Sequence, residues 1–236
     1  VTETYRLSDT LHVDVNRQNA KAYCMLKEYP TAISRYQALK AMGDNSFTTC
    51  YYLGISHYGD NWFYGAQESL LEAHRKNPAD INVLYYLGKS CARTSWKEEG
   101  VEFIKKALEI AVPTDSLMER LYEGLVECYR YLPKADPHQR IEALKTLYSY
   151  NKKHSLFYNI AYIYDNNEDE ANAKYYYQKY LDAAVKNGEL AVDKIGNYQV
   201  APEQTTRTMM QKTAIKYING IKEKEFFEIG KPKSNK

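Results

Sequence analysis

The chain has 236 residues, with 32 basic and 30 acidic side chains and a formal net charge of +2. This balance gives no global field that would attract a polynucleotide or an anionic membrane, so we expect no nucleic-acid partner. No run of about 18 apolar residues occurs, so we predict no membrane span. Tyrosine is abundant, at 24 residues against 6 phenylalanines, and its apolar ring with a polar tip suits a shallow, half-buried groove.

The four cysteines have no Cys-x-x-Cys spacing, and each falls in a segment that we predict to be helical. We therefore interpret them as small buried apolar residues rather than as a disulfide framework or a metal site. They are Cys24, Cys50, Cys91 and Cys128. The chain begins at Val1 rather than Met, which fits a mature exported protein or a trimmed chain, and we favour an exported, periplasmic location over a cytoplasmic one.

Residues 1–12 are polar and mixed in pattern, and we interpret them as an N-terminal arm or the end of an upstream repeat. A first helix hairpin is predicted over residues 13–46, with Asn19 at its weakly matching start. Pro30 falls near the start of its second helix, where the missing N–H costs nothing. The stretch that ends at Ser46 closes this hairpin and offers a cap for the next helix.

Two clear hairpins are predicted over residues 47–80 and 81–114, because the same pattern occurs twice. The first copy has Leu53, Gly54, Ala66, Leu70 and Ala73, and the second has Leu87, Gly88, Gly100, Ile104 and Ala107. Each residue of the second copy follows its counterpart by 34 positions, and a fixed period of this size indicates a repeat architecture. Pro78 ends one helix, and Asp80 is placed to cap the helix that follows.

A fourth hairpin is predicted over residues 115–153, with Ser116 and Glu119 as a capping box for a helix that ends near Leu132. Its turn is two residues longer than that of the first hairpin. A fifth hairpin follows over residues 154–186, and the period is lost beyond it.

Residues 187–236 are predicted as a loop, a final helix that follows Pro202 and ends near Phe227, and a basic tail. The apolar stripe of the final helix consists of Met210, Ala214, Ile218 and Ile221. Because the end of a solenoid leaves an apolar face uncovered, we expect this helix to cap the array. The predicted fold class is all-α: an α-α superhelix, or solenoid, of about five helix hairpins with a C-terminal capping helix.

This pattern resembles the tetratricopeptide repeat (TPR) family, whose unit is a helix-turn-helix with small residues where its helices approach closely. The matching residues are Leu53, Gly54, Ala66, Leu70, Ala73 and Pro78; Leu87, Gly88, Gly100, Ile104 and Ala107; and Phe157, Ile160, Ala161, Tyr164, Ala173 and Tyr177. The resemblance extends over residues 13–184. The chain is also similar in style to TPR proteins exported to bacterial cell envelopes.

The resemblance implies that the first helix of each hairpin lines a concave groove. The residues that it assigns to this groove are Arg17, Lys21, Tyr51, Ile55, Tyr58, Tyr85, Lys89, Arg93, Glu123, Glu127, Arg130, Tyr158 and Tyr162. Tyrosines among charged residues can hold an extended peptide by stacking, hydrogen bonds and ion pairs. The alternative is that individual tyrosines pack between hairpins.

One TPR subtype captures the C-terminal carboxylates of chaperones with a lysine/asparagine clamp. The corresponding positions here hold Arg17, Lys21, Tyr52, Asn82 and Tyr86. The clamp is incomplete, so we predict no chaperone co-binding.

No catalytic or metal-binding pattern accompanies the repeats. No two of the five histidines have the i, i+4 spacing of metal ligands on one helical face. Asp165, Asn167 and Asp169 resemble the start of a calcium loop, but Glu170 stands where that loop requires glycine. We therefore predict no enzyme activity, no cofactor and no metal.

The sequence favours a non-enzymatic scaffold that binds a peptide or protein segment in the concave groove, within a multiprotein assembly. The alternative is a regulatory or sensing segment of a larger enzyme or of an envelope transport or assembly system. Binding of nucleic acid in the groove is disfavoured because Glu123 and Glu127 would lie in the path of a phosphate backbone.

Overall fold

The computed structural model describes residues 10–194, 196–200 and 208–229, so the predicted tail and most of the predicted arm lie outside the described residues. The chain divides into two compact units, with the boundary between Ala135 and Asp136. The helices of the first unit are α1 (Thr10–Met25), α2 (Tyr29–Ala41), α3 (Phe47–Gly59), α4 (Phe63–Lys76), α5 (Ile81–Ala92), α6 (Lys97–Ile110) and α7 (Asp115–Tyr131). The elements of the second unit are α8 (Pro137–Asn151), α9 (Ser155–Asn166), α10 (Glu170–Lys186), β1 (Leu190–Val192), β2 (Tyr198–Val200) and α11 (Met209–Ile229).

This content confirms the all-α class. The boundary between the units lies inside the stretch 115–153 that was predicted as the fourth hairpin, so α7 and α8 belong to different units. None of the helices within the described residues is long and apolar enough to cross a membrane.

Helix caps form where the sequence places them in the first unit. Ser46 accepts a hydrogen bond from the Thr49 N–H at 3.3 Å before α3, and Asp80 accepts one from the Asn82 N–H at 2.9 Å before α5. Pro30 is the second residue of α2. These three predictions are confirmed, and each depends on a residue type whose local chemistry favours a helix start.

The predicted capping box at Ser116 and Glu119 is wrong. α7 begins at Asp115, and its N-cap is Thr114, whose hydroxyl accepts a hydrogen bond from the Leu117 N–H at 3.3 Å. An N-cap residue needs extended backbone, which Thr114 has and which Ser116, inside the first turn, does not.

The repeated small residues bring the helices of each clear hairpin into close contact. A Cβ added to Gly54 would lie 2.5 Å from Leu70 Cγ. A Cβ added to Gly88 would lie 2.7 Å from Ile104 Cγ1 and 2.8 Å from the carbonyl oxygen of Gly100. Leu70 and Ile104 are both fully buried. The same close contact between a glycine and a large buried residue therefore occurs in both hairpins, one period apart.

All four cysteines are free and buried, which confirms their interpretation as core residues. They lie on α1, α3, α5 and α7, the first helices of successive hairpins. These four helices contact one another in succession, so they form one layer of the first unit.

In the second unit, α11 packs on α10 and buries Ala214 and Ile218 against Tyr177 and Leu181. Ile221 is buried as well. The expected packing of the final helix is confirmed for these positions, whereas Met210, at the start of α11, is exposed.

The stretch after α10 is not only loop, as the sequence suggested. β1 and β2 form an antiparallel hairpin in which Leu190 pairs with Val200 and Val192 with Tyr198. Leu190 and Tyr198 are buried in the cluster formed with α10 and α11. Strands of three residues show too little alternation to be recognised in a sequence, and this burial against the helices supports the pairing.

Candidate functional site

The predicted groove residues of the first unit lie on successive first helices. They are Arg17 and Lys21 on α1; Tyr51, Ile55 and Tyr58 on α3; Tyr85 and Lys89 on α5, with Arg93 directly after it; and Glu123, Glu127 and Arg130 on α7. We call the surface that these residues form the first-helix face.

An ion pair between α5 and α7 lies at the centre of the first-helix face. Lys89 Nζ is 2.9 Å from Glu127 Oε2, and the two side chains are 17% and 25% exposed. The ammonium also donates a hydrogen bond to the Tyr85 hydroxyl at 3.5 Å, and it lies 5.3 Å from the ring centroid of Tyr58.

Lys89 is therefore a charged cation that already has partners. Burial alone would lower the pKa of its ammonium, but the hydrogen bond to Glu127 and the oxygens of Tyr85 and Tyr58 outweigh burial and raise the pKa above its ordinary value.

Tyrosine rings pack edge to face beside this ion pair. The Tyr86 centroid lies 5.6 Å from that of Tyr58 and 5.2 Å from that of Tyr85. Tyr85 is 7% exposed, whereas Tyr58 and Tyr86 are half-buried. Burial raises the pKa of the Tyr85 and Tyr58 phenols, so both are neutral near pH 7. Tyr85 thus fits the packing alternative, while Tyr58 and Tyr86 keep surface for a ligand.

On α3, Tyr51 stacks on Phe47 at 5.7 Å and meets Tyr52 edge to face at 5.0 Å. Tyr51 and Ile55 are both half-buried. The structure therefore keeps part of each side chain accessible, one helical turn apart on α3.

Arg93 follows α5 and is exposed. Its guanidinium carbon lies 4.3 Å from the ring centroid of Phe63 and 4.7 Å from that of Tyr131. Among the residues that the structure describes, none accepts a hydrogen bond from this guanidinium or pairs with its charge. Glu123 and Arg130 are also exposed.

At the α1 end of the face, the two predicted cations differ. Arg17 donates hydrogen bonds to Asp44 Oδ2 from Nη2 at 3.0 Å and from Nε at 3.1 Å, and it also pairs with Asp14. Lys21 lies over the Tyr52 ring, 5.1 Å from its centroid. Arg17 therefore ties α1 to the segment before α3, and Lys21 extends the contacts between cations and rings.

Tyr158 and Tyr162 lie on α9 in the second unit. Their rings stack at 6.5 Å, and Tyr158 meets Tyr177 edge to face at 5.6 Å. Tyr162 is 50% exposed. The two residues form an aromatic pair of the second unit and are not counted with the first-helix face.

Arg120 on α7 belongs to the first-helix face, although the sequence analysis did not assign it there. Its guanidinium carbon lies 4.9 Å from the Tyr85 centroid, and its Nη2 donates a hydrogen bond to Asn82 Oδ1 at 2.7 Å. The period could have found it, because 86 − 52 and 120 − 86 both equal 34, which places Tyr52, Tyr86 and Arg120 in one register.

The ring partners of Arg93 carried no such signal. Phe63 is the first residue of α4 and Tyr131 is the last residue of α7, so neither occupies a groove position in the repeat. They reach Arg93 only because three helices meet at its position.

The residues with catalytic or ligating chemistry are spread out or have local partners. Within the described ranges, no group of three or more His, Cys, Asp or Glu side chains could hold a metal ion. His57 is buried beside Trp62, and its Nδ1 lies 3.4 Å from Ser69 Oγ. Asp169, in the turn that resembles a calcium loop, is the N-cap of α10 and accepts a hydrogen bond from the Asn172 N–H at 3.1 Å.

No family model matches the chain, and no curated protein matches it in sequence. Solved structures are similar to it in fold. A crystal structure of MamA protein is 18% identical over 77% of this chain and 97% of its own, with a TM-score of 0.64. MamA 41-end from Desulfovibrio magneticus RS-1 is 11% identical over 74% of this chain and 96% of its own, with a TM-score of 0.61.

YrrB, a TPR protein with an unusual peptide-binding site, is 14% identical over 71% of this chain and 84% of its own, with a TM-score of 0.58. Identities this low relate the proteins by fold alone. Together with the 34-residue period of the sequence, they show that this chain has the all-α helical-repeat fold of tetratricopeptide repeat proteins.

Proposed function

We propose that this chain is a non-enzymatic interaction scaffold whose first-helix face binds an extended peptide or protein segment. The observation that carries the proposal is the continuous set of contacts between rings and cations across α3, α5 and α7. Lys89 lies over the rings of Tyr58 and Tyr85, Tyr86 packs edge to face on both rings, and Arg120 of α7 lies over Tyr85. YrrB, which has a similar fold, has a peptide-binding site, and this supports a peptide as the class of ligand.

The chemistry of the face suits a peptide. Half-buried tyrosines offer broad contact area and hydroxyl groups for hydrogen bonds, and they lose little side-chain entropy on binding because packing already orders them. Tyr51, Tyr58 and Tyr86 are all half-buried and all contact another ring. Such a surface presents ordered aromatic edges to an extended backbone.

The test starts by selecting peptides of about 12 residues from a random display library on the whole chain, a length that spans several helices. Affinity is then measured by fluorescence anisotropy for the wild type and for Ile55→Arg, which places a charged side chain on the first-helix face. Gln37→Arg, an exposed position on the second helix α2, is the matched control.

We expect Ile55→Arg to weaken binding at least about 10-fold, with the control at wild-type affinity and both variants unchanged in far-UV circular dichroism. Equal affinities for the wild type and Ile55→Arg would contradict the proposal, and so would a failure to select any peptide.

A further inference from the structure

Lys89 was predicted as a cation of the groove, but its charge is already balanced. An incoming carboxylate would have to displace Glu127 at 2.9 Å. Arg17 pairs in the same way with Asp44 at 3.0 Å, and Lys40 pairs with Glu72 at 2.7 Å. Among the predicted groove cations of the first unit, Lys21, Arg93 and Arg130 have no carboxylate partner within the described residues. Of these, Arg93 is the one whose guanidinium lies over two rings.

Arg93 is exposed, and no described residue accepts a hydrogen bond from its guanidinium. The rings of Phe63 and Tyr131 lie within the range of a cation–π contact and restrict the side chain. Because no described residue accepts a hydrogen bond from the guanidinium, its N–H donors remain available to a ligand.

On α5 and α7, the charge near Arg93 is either neutralised or positive. The nearest acidic side chains along the chain are Glu98 and Glu99, in the first turn of α6. The next charged side chain toward the start of α5 is Lys89, which is neutralised by Glu127. Arg130, one residue before Tyr131, is exposed and adds a second positive charge near this end of α7. Glu123 lies about two turns earlier on α7, so the negative charge on this helix is displaced from the Arg93 end.

We propose that Arg93 anchors the partner by binding the carboxylate of an Asp or Glu side chain in the peptide that occupies the first-helix face. This inference rests on the proposed function and adds the chemistry of the ligand. The planar guanidinium matches a carboxylate through two parallel hydrogen bonds, and the ring contacts reduce the entropy that this geometry costs.

The experiment uses the display-selected peptides described above. Sequencing is expected to show one position enriched in Asp or Glu. A selected peptide is then synthesised with Glu, Gln or phosphoserine at that position. Each version is titrated against the wild type, Arg93→Ala, Arg93→Lys and Arg75→Ala, the last being an exposed arginine of α4 with the matched substitution.

For the wild type, replacing Glu by Gln should weaken binding about 5- to 10-fold, and added salt should reduce the difference. Arg93→Ala should lose affinity for the Glu peptide by a similar factor and should no longer distinguish Glu from Gln. Arg93→Lys should fall between, because it keeps the charge without the planar fork. Arg75→Ala should behave as the wild type.

The outcomes separate this inference from the proposed function. Peptides that bind without acidic preference, or a Glu-to-Gln difference that persists in full in Arg93→Ala, would overturn the Arg93 anchor and leave the scaffold function standing. A phosphoserine peptide that depends on Arg93 while Glu and Gln bind equally would overturn the carboxylate assignment. Selection of no peptide would contradict both. Comparing peptides on each variant keeps the test valid even where Arg93→Ala lowers stability.

Discussion

Gly88→Ala is expected to destabilise the first unit, because the added methyl group has no space. Its Cβ would lie 2.8 Å from the Gly100 carbonyl oxygen and 2.7 Å from Ile104 Cγ1. Overpacking of this kind costs about 1–3 kcal/mol, and contact with backbone favours the upper end. Alanine in a helix regains about 1 kcal/mol relative to glycine. The net loss is therefore about 2 kcal/mol, which for this chain length lowers Tm by about 4–8 °C.

The matched control is Gly220→Ala in α11, where an added Cβ would meet nothing within 4 Å. Only the helix-propensity term remains there, so this variant should gain up to about 1 kcal/mol. Thermal unfolding followed by far-UV circular dichroism measures both. A Tm for Gly88→Ala at or above that of the wild type would refute the close packing of α5 on α6 and the repeat register on which it depends.

Three further predictions concern the Lys89–Glu127 ion pair, the loss of stability at acid pH that His57 causes, and the reactivity of the buried thiols. Lys89→Met leaves the half-buried Glu127 without its cation and should lower the free energy of unfolding, measured in urea, by about 1–2 kcal/mol. The double variant Lys89→Met/Glu127→Gln should recover part of this loss. A Lys89→Met variant as stable as the wild type would show that the ion pair contributes nothing. Burial lowers the pKa of His57, so the unfolded chain binds a proton at a higher pH than the folded chain does. The stability contributed by neutral His57 is therefore complete above the unfolded pKa of about 6.5 and is lost as the pH falls below that value. The urea midpoint should drop between about pH 7 and pH 5, and His57→Gln should reduce this drop. Burial raises the pKa of Cys50 to about 11 and that of Cys91 and Cys128 to about 12. In the folded chain these thiols should therefore react with a thiol reagent at least about 100-fold more slowly than in the chain unfolded by urea. Rapid reaction in the folded chain would contradict their burial.

Much of the fold follows from the sequence because its signals are local. The apolar spacing and the repeated Leu53-Gly54 and Leu87-Gly88 pairs indicate hairpins, and the Asp80 cap needs only its own side chain and the next turn. The Thr114 cap was missed because Ser116 offers the same chemistry two residues later, and only the backbone conformation distinguishes them. The β1–β2 hairpin was missed because its strands are three residues long.

The site is less accessible to sequence analysis, because its contacts join different helices. Lys89 and Glu127 are 127 − 89 = 38 positions apart, which differs from the period, so their pairing depends on how α5 and α7 pack. That pairing neutralises Lys89, whereas Arg93 has no carboxylate partner within the described residues and contacts rings that come from α4 and α7. The repeat register could be read in the sequence, but the pairing of the charged side chains required the structure.

Photo-crosslinking of a display-selected peptide tests the central claim most directly. A benzophenone amino acid is placed singly at Ile55 and Arg130 on the first-helix face, and at Gln37 and Arg75 on the second helices α2 and α4. The proposed scaffold predicts crosslinks from Ile55 and Arg130, competed by unlabelled peptide, and none from Gln37 or Arg75. Competed crosslinks from the second-helix positions, with none from the first-helix face, would contradict it.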